Sequence, residues 1–258
     1  MLPYFQLGSW QIGTYGLLAL VGLVVTGLCV IHRLLWLDRP RRVILTGFVL
    51  TILGGLAGTI LMSWLITSYR VARSGLLAQP EGFSVVWTLS FGAVVIVLYT
   101  WRQGESVGRV LDLVALPIPL GLAIGRLGCA AAGCCYGRPT DSWLGVYLPD
   151  QVGMWAVRYP TQLMSAAVDL FIFVMLLVVE RYGMRRVGRS RTWPFNGFLL
   201  LLALILFGSK RFVMGFLRES GPGLLGPLSW MHLSALIVVV GSVGFMAWGL
   251  VRAGRDTG

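Results

Sequence analysis

Charge is scarce in this chain: of 258 residues, only 12% are Asp, Glu, Lys or Arg, while 57% are hydrophobic and the mean hydropathy is +0.80. A length that would make one or two soluble domains therefore makes a set of membrane-spanning helices, and a hidden soluble domain is excluded. Acid is scarcer still, with ten Asp and Glu against 21 Lys and Arg and a net charge of +11. In a soluble protein that excess would point to nucleic acid. Here the basic residues fall between apolar segments, where they set topology, so nucleic acid is discarded as a partner. Histidine is limited to His32 and His232. The four cysteines, Cys29, Cys129, Cys134 and Cys135, are too few for a disulfide scaffold and form no CxxC pairs of a zinc ribbon. No metal and no cofactor is expected. Met1 to Gln11 lacks a basic n-region, so the first apolar segment reads as a retained span. No internal repeat or low-complexity tail is evident.

Seven apolar segments are present, most compatible with the ~17 to 25 residues of a spanning helix. They lie near Ile12 to Trp36, Val43 to Thr67, Ser84 to Trp101, Val110 to Ala131, Thr161 to Val179, Phe195 to Gly208 and Ser229 to Val251. The sixth is short, and Lys210 and Arg211 are placed as its continuation. The fold class expected is an all-α integral membrane protein of about seven transmembrane helices, a single polytopic domain over residues 1–258 with an outer loop around 136–159. Counting Lys and Arg in alternate loops gives thirteen on one side and eight on the other. That predicts the N-terminus outside and the C-terminus in the cytoplasm.

The smaller basic set is the more informative. Arg126, Arg138, Arg158, Lys210, Arg211 and Arg218 gather at the outer ends of segments four to six, on the side usually depleted of arginine. An anionic substrate from the outer leaflet would explain them together. The stretch Gly125-Arg126-Leu127-Gly128-Cys129-Ala130-Ala131-Ala132-Gly133-Cys134-Cys135-Tyr136-Gly137-Arg138 is its centre. A guanidinium at membrane depth is costly, and two readings account for Arg126: paired hydrogen bonds to a lipid phosphate, or snorkelling at a helix end. Pro117 and Pro119 should break the fourth segment just before this stretch. Gly54 and Gly58 have the GxxxG spacing of close helix packing, read as intramolecular. Asp169 is expected to pair with an arginine inside the bundle. The aromatic loop from Tyr136 to Tyr159 suits the headgroup layer.

These residues resemble the prolipoprotein diacylglyceryl transferase family. Gly125-Arg126-Leu127-Gly128 with Gly133 and Gly137 matches the frame of its Gly-Arg-x-Gly-Asn-x-x-Asn-Gly-x-x-x-Gly run. Thr14-Tyr15-Gly16-Leu17 is similar to its Trp-Tyr-Gly-Leu, and Gly54-Gly55 to a glycine pair in its second span. Arg158-Tyr159-Pro160-Thr161-Gln162-Leu163 resembles its Arg-His-Pro-Ser-Gln-Leu, and Arg211-Phe212 with Arg218 its Arg-Phe-x-x-Glu-x-x-Arg. The likeness covers nearly the whole chain. It implies a multi-pass protein of the bacterial inner membrane that moves a diacylglyceryl group from phosphatidylglycerol, or another anionic phospholipid, to the thiol of a lipobox cysteine in a lipoprotein signal peptide, releasing glycerol phosphate. It implies Arg126 and Arg211 as electrostatic stabilisers of the leaving phosphate, Tyr15 as a headgroup hydrogen-bond partner, Gln162 as an orienting group, and Gly137 and Arg218 as further substrate-site positions.

The chain departs from that pattern at several polar positions. Trp87-Thr88-Leu89 stands where the family has a histidine pattern, Cys129 and Ala132 replace its asparagines, Cys134 and Gly215 replace glutamates, Leu56 an arginine, and Met164-Ser165 a Tyr-Glu pair. Among remaining bases, His32 belongs at the inner end of the first span, whereas His232 enters the seventh from outside and is the better candidate. Asp141 and Glu219 read as solvated or arginine-paired carboxylates. Cys129 and Cys134 are carried as substrate-site residues. The three clustered thiols are open to an acyl or glyceryl intermediate, a soft metal, a disulfide, or close packing between helices, with packing the expected role for at least two. Two classes of function follow: a transferase of this type, or a catalytically altered homologue that holds phospholipid or a partner protein within a membrane complex. A transporter ranks last, since no duplicated halves are evident.

Overall fold

The computed structural model describes residues 4–7, 10–37, 39–74, 85–149, 154–187, 193–218 and 229–255. Their helices fall into two compact units, Met1–Val30 with Asp112–Gly258, and Ile31–Leu111. Six of the described helices, taking α4 and α5 below as one, are long and apolar enough to cross a membrane. The chain is a multi-pass α-helical membrane protein. The third expected segment is α3 (Val85–Arg102). At 1.5 Å per residue its 18 residues reach about 27 Å, slightly less than a bilayer core, and it is not one of the six.

The Ile31–Leu111 unit is built on α2 (Arg41–Ser74) packed against α3. Small residues at every turn or two let the two backbones approach. A Cβ added at Gly54 would meet Val95 at 2.5 Å, one at Gly55 the Thr88 carbonyl at 2.7 Å, and one at Gly58 the Phe91 ring. The GxxxG pair is thus an intramolecular seam, as its spacing predicts. The Tyr99 hydroxyl donates to the Val43 carbonyl at 2.9 Å, and Thr59 and Thr88 hydroxyls meet at 2.6 Å. Arg39 pairs with Glu105 at the helix ends and donates to the Gln103 carbonyl at 3.1 Å.

In the larger unit, β1 (Tyr4–Leu7) and β2 (Trp10–Gly13) form an antiparallel hairpin, and α1 (Thr14–Leu34) follows it directly. α4 (Val107–Ala115) ends before Pro117, and α5 (Ile118–Ala132) restarts there. Prolines 117 and 119 bring no N–H to the ladder, and the Pro117 carbonyl is satisfied by Leu120 N–H at 3.1 Å. α6 (Thr161–Val187), α7 (Phe198–Leu217) and α8 (Trp230–Arg255) complete the unit, with α5 on α6, α6 on α7 and α7 on α8. Its core is Ala115, Leu116, Ile172, Leu176, Leu199 and Ala203. α7 begins at Phe198 because Asp112, fully buried, caps it: the carboxylate accepts from Gly197 N–H at 2.7 Å and Leu200 N–H at 2.8 Å. That removes two of the orphan donors a helix start leaves.

Two features differ from the sequence reading. The loop after α5 is not irregular throughout: β3 (Val146–Pro149) pairs antiparallel with β4 (Trp155–Arg158), and single bridges join Pro139 to Arg158 and Gly137 to Arg218. Asp169 on α6 pairs with Lys210 on α7 at 2.5 Å rather than with an arginine. The helix phase of α7 turns Lys210 inward, its side chain 10% exposed, while the neighbouring Arg211 is exposed.

Candidate functional site

The site grows from the C-terminal end of α5. Gly133 adopts φ 71°, and the chain doubles back so that Gly133 N–H bonds the Ala130 carbonyl at 3.3 Å and Cys134 N–H bonds the Cys129 carbonyl at 3.1 Å. This is a Schellman motif, which brings the second residue past the cap onto the third residue from the helix end. Both are cysteines. Cys135 then takes φ 60°, a left-handed conformation that costs a non-glycine residue about 1–2 kcal/mol. The Sγ atoms of Cys129, Cys134 and Cys135 all lie within 4.8 Å of one another.

The strand-like segment that follows is stitched to α6 and α7. Gln162 Nε2 donates to the Cys134 carbonyl at 2.8 Å, and the Thr161 hydroxyl donates to the Cys135 carbonyl at 2.7 Å. Gly137 N–H bonds the Tyr159 carbonyl at 2.9 Å, and Arg138 N–H the Leu217 carbonyl at 2.9 Å. A Cβ at Gly137 would stand 2.7 Å from each of the Leu217 carbonyl, the Tyr159 carbonyl and Tyr159 Cβ. Glycine is required there by close backbone approach. Gly128 performs a similar service against α1, where a Cβ would lie 3.1 Å from Leu18 and 3.4 Å from Tyr15 Cα.

Around this scaffold the charges converge. Arg126 interacts electrostatically with Tyr15, Cys129, Cys135, Asp169, Lys210 and Arg218, and Arg211 does so with Arg218. Against these four cations stand, among the described residues, one carboxylate, Asp169, already paired with Lys210, and the thiol of Cys135. Among the described residues, Arg126, Arg211 and Arg218 have no ion-pair partner, and the buried Nε of Arg218 has no hydrogen-bond partner. Burial and the nearby Arg126 guanidinium hold Arg218 below its ordinary pKa. A hydrogen bond from Cys129 brings the exposed Cys135 thiol down to about 5, helped by the Cys134 contact, Arg126 and Arg218, while burial pushes Cys134 up. The arrangement carries, among the described residues, more cationic groups than carboxylates, with Tyr15 within electrostatic range of Arg126.

Of the residues singled out from sequence, Tyr15, Arg126, Arg211, Arg218, Cys129 and Cys134 belong to this convergence. Gln162 and Gly137 border it as supports, the first 2% exposed with its amide donating to the Cys134 carbonyl. His232 is elsewhere in character. Its ring is 1% exposed, edge-on to Phe212 and tilted on Phe216, and its Nδ1 accepts from Ser229 N–H at 3.1 Å. An imidazole that accepts at Nδ1 carries its proton at Nε2. That Nε2 is buried without a partner, where a Cβ on Gly215 would be 2.5 Å away. The histidine expected to act as base therefore has its lone pair engaged. Glu219 lies outside the described residues. Sequence reasoning placed Lys210 in the outer basic set without its pairing to Asp169, and named Ser165 only as a departure from the family pattern, not as a buried hydroxyl one helical turn before Asp169 on α6; the i to i+4 spacing of the α6 pair was the available signal.

Residues 3–248 match the family described as prolipoprotein diacylglyceryl transferase. The chain is 25% identical over 254 residues to phosphatidylglycerol–prolipoprotein diacylglyceryl transferase 2 of Clostridium perfringens, covering 96% of this chain and 95% of that protein. It is 24% identical over 256 residues to the phosphatidylglycerol–prolipoprotein diacylglyceryl transferase of Clostridium tetani, with 96% of each covered. The enzyme of that name from Pseudomonas savastanoi pv. phaseolicola is 27% identical over 278 residues, covering 99% of this chain and 89% of the other. With the glycine-arginine frame, the broken helix and the cationic end of α5 and α7 in place, the chain belongs to the prolipoprotein diacylglyceryl transferase family.

Proposed function

We propose that this protein transfers the diacylglyceryl group of phosphatidylglycerol to the thiol of a cysteine in a lipoprotein signal peptide, at the outer side of a bacterial cytoplasmic membrane. The observation that carries the reading is the group of guanidiniums at Arg126, Arg211 and Arg218, which have no ion-pair partner among the described residues. Unpaired arginines at membrane depth are costly unless an anion answers them, and guanidiniums suit a phosphodiester through paired hydrogen bonds. Tyr15, beside Arg126, supplies a hydroxyl for the headgroup.

In the reaction the acceptor sulfur bonds to the glyceryl carbon that carries the phosphate. The bond from that carbon to the phosphate oxygen breaks, and glycerol phosphate leaves with the electron pair. Charge grows on the departing phosphate, which is where Arg126 and Arg211 act, and one such stabiliser is worth about 10²–10³ in rate. The acceptor thiol must lose its proton because the thiolate is the nucleophile. That proton passes to the departing phosphate oxygen in the same step as the carbon–oxygen bond breaks, since the second pKa near ~6 belongs to the monoester and not to the intact diester. The reaction then needs no histidine at the position where relatives carry one, and His232 is a positioning residue for α7 and α8. Gln162 and Thr161 act on the loop that carries Cys134 and Cys135, not on the substrate.

The test is transfer of a labelled diacylglyceryl group to a lipobox peptide by the full chain in liposomes. Transfer from phosphatidylglycerol but not from phosphatidylethanolamine, with glycerol phosphate released in equal amount, is the expected result. Phosphatidylglycerol bound tightly without any transfer would overturn the catalytic reading.

A further inference from the structure

The three thiols at the end of α5 play no part in the transfer step above, yet their backbone is held by main-chain bonds of its own turn and by two side chains of α6. The Cys-x4-Cys spacing of Cys129 and Cys134 equals the spacing that a Schellman motif folds together, and the Cys134 N–H to Cys129 carbonyl bond at 3.1 Å is that contact. Adjacent residues normally point apart. Here Cys135 at φ 60° brings the third sulfur to the same side, within 4.8 Å of the other two. The carbonyls of Cys134 and Cys135 are each held by a buried α6 side chain, Gln162 and Thr161. A non-glycine residue kept in the left-handed region by its surroundings points to a site. All four cysteines are free thiols.

We propose that Cys129, Cys134 and Cys135 form a three-thiolate binding site for a soft monovalent cation, copper(I). Softness of the donors selects copper(I) or zinc over hard cations. Coordination number decides between these two. A closed structural zinc site takes four protein ligands, and among the described residues no histidine or carboxylate joins the three sulfurs. Copper(I) is satisfied by three. On binding, each thiol releases its proton to solvent and forms a sulfur–metal bond, with no change of oxidation state. Three thiolates and one copper(I) carry a charge of −2, which Arg126 and Arg218 offset when no phospholipid is bound, the condition of the titration below. Cys135 is exposed, which opens a path for the ion, whereas Cys129 is buried and closes the site behind it.

The test uses the full chain purified without oxygen in detergent, reduced, and titrated with copper(I) against a chromogenic copper(I) chelator, with neither lipid nor peptide present. One equivalent should be withheld from the chelator, and X-ray absorption should count three sulfurs at one distance. Cys129→Ser, Cys134→Ser and Cys135→Ser should each weaken binding by at least the ~100-fold known for loss of an outer-shell partner, and Cys29→Ser should not. No retained copper in the wild type, a two-sulfur site, or equal loss in Cys29→Ser would overturn the proposal. The wild-type and Cys29→Ser measurements decide it even if the other variants fold poorly. Because transfer is not read in this experiment, its failure leaves the transferase reading untouched, and a failed transfer assay leaves the copper site untouched.

Discussion

At the scale of single residues, the Asp169–Lys210 pair decides how much charge the interior tolerates. Asp169 is fully buried, its Oδ1 has no hydrogen-bond partner, and Lys210 is 10% exposed at the side chain. Removing one member leaves the other charged and uncompensated, so Asp169→Asn or Lys210→Met should cost about 3–5 kcal/mol. The double replacement Asp169→Leu with Lys210→Met should be far milder. Thermal unfolding in detergent of the three variants checks this, and equal losses in single and double variants would contradict it. Gly137→Ala should cost about 1–3 kcal/mol by overpacking against Leu217 and Tyr159, read in the same assay. The glycine-arginine frame was legible because repeated glycines and an arginine inside a membrane-length apolar run are each costly without a reason. The partner of Asp169 was not: Lys210 and Arg211 are adjacent, and only the phase of α7 against α6 decides which faces in. The engaged Nδ1 of His232 was equally hidden, since it depends on where Ser229 falls in the turn before α8.

At the scale of elements, hydrophobic run length located every helix, and Pro117 located the break between α4 and α5. Helix ends were less legible. α2 runs to Ser74 and α6 to Val187, past the apolar windows, since each helix continues through its terminal arginines, Arg70 and Arg73 in the first and Arg181 and Arg185 in the second. The hairpin of β3 and β4 escaped notice because four-residue strands rich in aromatics look the same as an interfacial loop. Asp112 was concealed within an apolar run, and its role appears only when α7 is brought to it. Asp112→Ala removes the acceptor for two helix-start donors, and a cost of about 2 kcal/mol is expected. Hydrogen exchange at Gly197 and Leu200 should rise with the fall in stability. Unchanged protection there would show that α7 does not depend on this cap.

At the scale of the whole molecule, composition alone made this a polytopic membrane protein, and the excess of Lys and Arg in alternate loops predicts the N-terminus and the cationic site on the outside. An alkaline phosphatase moiety inserted between Thr140 and Trp143 is expected to be active, and one joined after Arg255 inactive; the reverse would invert the topology. The glycine-arginine frame survives in this chain while the histidine and acidic positions seen in the family pattern do not, and catalysis in the proposed reading therefore rests on electrostatic stabilisation of the leaving group. The most direct measurement of that statement is kcat/KM for diacylglyceryl transfer from phosphatidylglycerol in wild-type, Arg126→Ala and His232→Gln proteins of matched thermal stability. Transfer by the wild type, a fall of about 10²–10³ in Arg126→Ala and near-wild-type turnover in His232→Gln are predicted. Turnover that survives loss of Arg126 but vanishes with His232 would contradict it.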